Sequence, residues 1–280
     1  MKKCEHQNEL PYLDCLYSPS HWSKSPPNHV IDDHMTAVQQ CFRRIKECVP
    51  VKFDVPYGDT ERQKVDIWGD EDKSQKAVVL FHGGYWVAED RKDLTAPVKP
   101  LVDNGYVVAC VGYEYATGGQ LLACVKQAAK ALQFLQMRWS EKKLAAGGFC
   151  AGAHLVCSAL RFLPADHLYR KLILISMICK LQELPQTYIG RDISLTVEDA
   201  EELSIKSLRN FNGSVLIIYG SMDTPNFIRQ NNELVEVLRH SGLNVTLKVV
   251  DNEDHFSLNH SFADSSSAAM KAVSNFLDSE

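Results

Sequence analysis

The chain has 280 residues, 45% hydrophobic and 23% charged, enough for one large domain with a substantial core. A formal net charge of -5 leaves no basic surplus, which argues against nucleic acid or an anionic membrane surface as partner. The longest apolar runs, 77–81 and 172–175, are the length of buried strands rather than membrane spans. The first twenty residues hold acids and prolines and no apolar signal core, so secretion is not expected. Nine scattered cysteines without CxxC spacing fit reduced thiols in a cytoplasmic protein better than a disulfide framework or a zinc site.

In chain order, residues 1–30 are rich in proline, serine and histidine and read as an extended lead-in ending in Ser25-Pro26-Pro27-Asn28. Met35, Val38, Phe42 and Ile45 repeat at helical spacing within 30–49, and Pro50 ends that helix. Two opening antiparallel strands follow at 51–55 and 64–68, across a turn at 56–59. From Lys76 onward short apolar runs alternate with helical stretches, the pattern of a mostly parallel sheet covered by helices on both faces. Strands are predicted at 77–81, 106–112, 143–149, 171–175, 215–219 and 245–250. Helices fit near 94–104, 121–139, 151–162, 227–241 and 263–277. The segment 181–209 carries a capped helix near 196–200 and is long enough to form part of a cap over a site.

Three features fall at the carboxyl ends of predicted strands, where open parallel sheets place their ligand crevice. Gly148-Phe149-Cys150-Ala151-Gly152 has the spacing of a nucleophile elbow, in which small flanking residues relieve a strained turn between strand and helix. The nucleophile position holds cysteine. His82-Gly83-Gly84-Tyr85-Trp86 follows the first parallel strand. Its two glycines leave backbone N–H groups open toward a substrate oxygen, with the Ala151 N–H as the opposing donor of an oxyanion hole. Asp223 and His255 follow the last two strands in the order nucleophile, acid, histidine. His255 is the expected general base and Asp223 its orienting acid, with Asp251, Glu253 and Asp254 as rival acids. His154, one helical turn beyond Cys150, is read as structural.

Together with Tyr17-Ser18-Pro19-Ser20-His21-Trp22, 195–200, Gly220-Ser221-Met222-Asp223-Thr224-Pro225 and Asp254-His255-Phe256, these motifs resemble kynurenine formamidase (arylformamidase) over nearly the whole chain. The resemblance implies an α/β-hydrolase fold in a single domain spanning 1–280. It implies a cofactor-free hydrolase that cleaves N-formyl-L-kynurenine to L-kynurenine and formate in tryptophan catabolism. Carried over residue by residue, the triad falls on Cys150, Asp223 and His255 and the oxyanion hole on Gly83, Gly84 and Ala151. Tyr85 and Trp86 fall beside the acyl pocket or an aromatic substrate, and a homodimer is left open. The family pattern Gly-His-Ser-Ala-Gly is altered here at Phe149 and Cys150. Because a thiolate leaves more readily than an aryl amine, the thiol predicts weaker formamidase activity than a serine would give. The competing expectations are a weakened or inactive relative binding an aromatic metabolite or protein partner, and a broad carboxylesterase.

Overall fold

The computed structural model describes residues 10–208 and 210–279; residues 1–9, with Cys4, and Arg209 lie outside the described part. The elements run α1 (Tyr12–Leu16), α2 (Pro27–Cys48), β1 (Val51–Pro56), β2 (Lys64–Trp68), β3 (Lys76–Phe81), α3 (Val98–Asp103), β4 (Tyr106–Val111), α4 (Leu121–Arg138), β5 (Lys143–Phe149) and α5 (Ala151–Ala159). They continue with β6 (Tyr169–Ile175), α6 (Tyr188–Asp192), α7 (Val197–Leu203), β7 (Ser214–Gly220), α8 (Pro225–His240), β8 (Asn244–Val250), α9 (His255–Ser261) and α10 (Ala268–Asp278).

The eight strands form one sheet in the order β1-β2-β4-β3-β5-β6-β7-β8. β1–β2 and β2–β4 pair antiparallel, and every pairing from β4 to β8 is parallel. β3 and β4 are apolar along their length because helices cover both faces, so alternation has nothing to distinguish. β1 sits at an edge and does alternate, half-buried and exposed by turns. The buried side chains form a continuous core through the middle of this sandwich.

Three parts of the chain differ from expectation. The lead-in is not extended over its described portion: it contains α1, a 3-10 turn at Pro19–Trp22 and the first turn of α2. Pro27 is the first residue of α2, where a missing N–H costs nothing and a fixed φ favours helix entry. Cys15, expected among the reduced thiols, is disulfide-bonded, whereas Cys41, Cys48, Cys110, Cys124, Cys150, Cys157 and Cys179 are free. The predicted last helix, 263–277, corresponds to α10, and an unpredicted helix, α9, precedes it. α9 begins at His255 because Asp254 caps it, accepting from the Phe256 and Ser257 amides, while Ser257 Oγ accepts from the Asp254 amide. The capped helix near 196–200 is α7, with the Thr196 hydroxyl accepting from the Asp199 amide. No helix among the described residues is long and apolar enough to cross a membrane.

Candidate active site

The turn from β5 to α5 holds Cys150 at φ 52° and ψ -115°, a backbone conformation that side chains rarely adopt. Its neighbours explain how the turn closes. A Cβ on Gly148 would lie 2.4 Å from the Gly152 carbonyl carbon, and one on Gly152 would lie 2.1 Å from the Phe81 carbonyl oxygen. Both positions therefore admit only hydrogen, and β3 can run directly against the start of α5. The Cys150 amide is pinned by the Ile175 carbonyl at 2.8 Å. Ala151 opens α5, where the first N–H groups have no acceptor within the helix.

His255 reaches Cys150 from the start of α9. Its Nδ1 lies 3.1 and 3.2 Å from the two carboxylate oxygens of Asp223, which follows β7, and Cys150 is near enough to interact with the ring electrostatically. Burial alone would lower the imidazolium pKa. Attraction to Asp223 and to Cys150, with hydrogen bonding to Asp223, overcomes that and raises it to about 10. Three rings enclose the imidazole: Phe149 at 4.6 Å, Phe227 at 5.2 Å and Phe256 at 5.7 Å between centroids. These rings exclude water from the imidazole. Among the rival acids, Asp254 is occupied by its capping bonds and by Ser23 and Lys24, and Glu253 bonds Ser257. Asp251 is exposed.

Cys150 and His255 open onto a cavity of about 230 Å³ whose lining is mainly apolar. Its walls come from α2 (Ile31, Met35), from α6 (Tyr188, Ile189) and from Phe149 and Phe256. Gly84 and Tyr85 line it too, and the Tyr85 hydroxyl donates to the Tyr17 carbonyl at 2.6 Å. Trp86 does not line it: the ring is fully buried and meets His154 edge-on at 5.1 Å between centroids. His154 in turn bonds the Leu203 carbonyl at 2.8 Å, and burial lowers its pKa to about 4. His82 is likewise buried, stacked on Tyr113 at 4.1 Å, with its pKa lowered to about 4 by burial.

The structure thus gathers Cys150, His255 and Asp223 with Gly83, Gly84, Ala151 and Tyr85, and sets Trp86 apart. It also brings in residues that sequence reasoning did not single out. Glu89 places Oε2 3.2 Å from the Gly83 amide, which donates to it. His34, from α2, lies behind Glu89, and its Nδ1 is 2.9 Å from His260 Nε2. The available signal for His34 was its four-residue spacing from Val30 and Val38, which placed it on the face of α2 toward the core. Glu89 carried none.

A sheet of this order with a strained cysteine after β5 and acid and histidine after β7 and β8 defines an α/β-hydrolase. A protein described as a thioesterase candidate from a Silicibacter species superposes with TM-score 0.79 at 20% identity, covering 94% of this chain and 98% of its own. An esterase from Pyrobaculum calidifontis gives 0.66 at 15% identity, over 91% and 92% of the two chains. The BD-FAE family model matches residues 65–161. The kynurenine formamidase of Danio rerio is 29% identical over 260 residues, covering 88% of this chain and 89% of its own. That of Drosophila melanogaster is 26% identical over 273 residues, covering 88% and 90%. The chain is an arylformamidase-like hydrolase whose sequence resembles the kynurenine formamidases along most of its length.

Proposed function

We propose that this protein hydrolyses N-formyl-L-kynurenine to L-kynurenine and formate, with Cys150 as nucleophile, His255 as general acid and base, and Asp223 as the group that orients His255. The observation that carries the reading is the position of His255, bonded to Asp223 through Nδ1 and opening with Cys150 onto the same cavity. We read 1–280 as one domain, with the 181–209 segment and α2 capping the site.

His255 takes the proton of the Cys150 thiol and becomes the imidazolium. Sγ attacks the formyl carbon, and the resulting oxyanion is held by the Gly83, Gly84 and Ala151 amides. Sulfur is the better leaving group in this intermediate, so collapse toward product requires the aryl nitrogen to be protonated first. An imidazolium whose pKa is raised to about 10 is well supplied with that proton. The C–N bond then breaks, L-kynurenine leaves, and a thioformyl ester remains on Cys150. Neutral His255 takes a proton from water, hydroxide adds to the carbonyl carbon, and C–S cleavage releases formate and restores the thiolate. The aromatic walls suit an aryl substrate, and Tyr85 stands beside it.

A second reading, an esterase acting on small aryl esters, is favoured by the thiol itself, because phenolate leaves without prior protonation. Both readings are tested by kynurenine release from N-formyl-L-kynurenine and phenol release from phenyl formate, in the chain as given and in Cys150→Ser and Cys150→Ala. Kynurenine release that is abolished by alanine upholds the formamidase reading. Ester turnover alone shifts it to the esterase, and turnover that persists in Cys150→Ala overturns both.

A further inference from the structure

The 82–89 loop concentrates backbone strain without glycine to bear it. Tyr85, Trp86 and Glu89 have φ of 47°, 62° and 65°, the left-handed region that costs a non-glycine residue about 1–2 kcal/mol. At Glu89 this conformation is held from outside the loop. Its carbonyl accepts from Arg62 Nη2 at 2.7 Å and from the Tyr115 hydroxyl at 3.1 Å. The backbone is therefore fixed, and only the side chain can swing.

That side chain ends where a substrate oxygen would have to go. Oε2 accepts from the Gly83 amide at 3.2 Å, and a Cβ built on Gly83 would lie 3.4 Å both from this oxygen and from Cys150 Cβ. One N–H cannot serve a carboxylate and a developing oxyanion at once, and a second negative charge beside that oxyanion would raise the barrier. A second seat for the carboxylate lies close by. His34 Nε2 faces Oε1 at 3.8 Å, within ion-pair range but beyond a hydrogen bond, and makes no hydrogen bond among the described residues. The His34 side chain is only 3% exposed, so this unmade bond is one that burial makes costly. In the tautomer in which His260 Nε2–H donates to His34 Nδ1, the His34 proton sits on Nε2 and points at Glu89. His34, His82 and His255 together hold the Glu89 carboxyl below its usual range despite burial, so protonation does not empty the hole.

We infer that Glu89 is a carboxylate plug of the oxyanion hole, seated on the Gly83 amide in the free protein and displaced onto His34 when a neutral amide or ester carbonyl enters. The inference rests on the proposed role of Gly83 as oxyanion donor beside Cys150. It makes Glu89 a gate on acylation, with His34 as the residue that receives it.

Two chemistries at the same sulfur separate the gate from the nucleophile. Acylation of Cys150 by p-nitrophenyl acetate builds an oxyanion, whereas alkylation by iodoacetamide does not. Glu89→Gly suits the left-handed backbone and empties the hole, so acylation rises by about tenfold, a fraction of the 10²–10³ attached to one oxyanion donor. Alkylation stays within about twofold of the parent, since no donor is used. Glu89→Gln, neutral but of the same shape, gives a smaller rise. His34→Leu removes the second seat and slows acylation, and adding Glu89→Gly restores the rate of the glycine variant, a rescue that structural damage would not give. Acylation at or below the parent rate in Glu89→Gly, with Cys150 alkylated normally, overturns the plug and leaves the nucleophile standing. Acylation that survives Cys150→Ala overturns both.

Discussion

The elbow and the 82–89 loop face each other across the same few ångströms, and both hold backbone in conformations that side chains avoid. At the elbow the strain is confined to Cys150, and glycines on both sides remove every atom that would collide. In the loop three non-glycine residues take the left-handed conformation while Gly84 supplies the close approach, its would-be Cβ lying 2.3 Å from the Ala88 carbonyl oxygen. The elbow is clamped between β3 and β6; the loop returns on itself through the Val87 and Ala88 amides, which donate to the Gly84 carbonyl at 2.9 Å. The same kind of strain is thus held between two strands in one place and in a loop closed on itself in the other, which predicts different costs when each is disturbed.

Gly152→Ala should be the most damaging change. Its methyl group would meet the Phe81 and His82 carbonyl oxygens at 2.1 and 2.4 Å, backbone atoms at the end of β3 and just beyond it, and a loss of about 4 kcal/mol is expected in urea unfolding. Gly84→Ala carries a similar contact and a φ of 80°, but the loop can move outward. About 2 kcal/mol is expected there, with acylation falling more than stability suggests. Equal losses in the two variants would mean that the loop is as rigid as the elbow, and the distinction drawn between them would fail.

A different readout, a slope with pH, concerns the charge that joins the elbow to α9. With the His255 pKa raised to about 10 in the folded protein against about 6.5 unfolded, the folded state binds more protons between those limits. Stability from this group is then complete below the unfolded value and is lost as pH rises through the folded one. The advantage of the parent over His255→Gln in urea unfolding should shrink from neutral pH toward pH 10. An advantage that grows over that range would show that the imidazole is held neutral.

How far the sequence could be read follows from the same contrast. The elbow was legible because glycine at two fixed offsets is a steric requirement, and steric requirements are written in residue type. The parallel strands were legible because apolar runs flanked by helical spacing have few other destinations. Strand order favours Asp223 over Asp254, whereas the reason Asp254 is occupied lies in the capping box that starts α9, a helix the sequence reading did not include. Glu89 could not have been found this way. Its importance depends on a side chain turned back over Gly83 and on two histidines, at positions 34 and 260, brought in by distant segments. The early residues were misread for a related reason: proline and serine suggest extension, yet Pro27 begins a helix whose buried face includes Val30, His34 and Val38. Phe149, which had no assignable effect from sequence, packs against the imidazole at 4.6 Å.

The cavity draws its reactive groups and its walls from separate stretches of chain. Cys150, Asp223 and His255 sit on the turns that end the sheet, whereas Ile31 and Met35 belong to α2 and Tyr188 and Ile189 to α6. The matched family region, 65–161, includes the cysteine and the glycine loop but none of these four wall residues. Mutational drift in α2 and α6 can therefore retune which molecules enter while leaving bond-breaking untouched, so descendants of one ancestral scaffold can diverge in diet long before they diverge in chemistry.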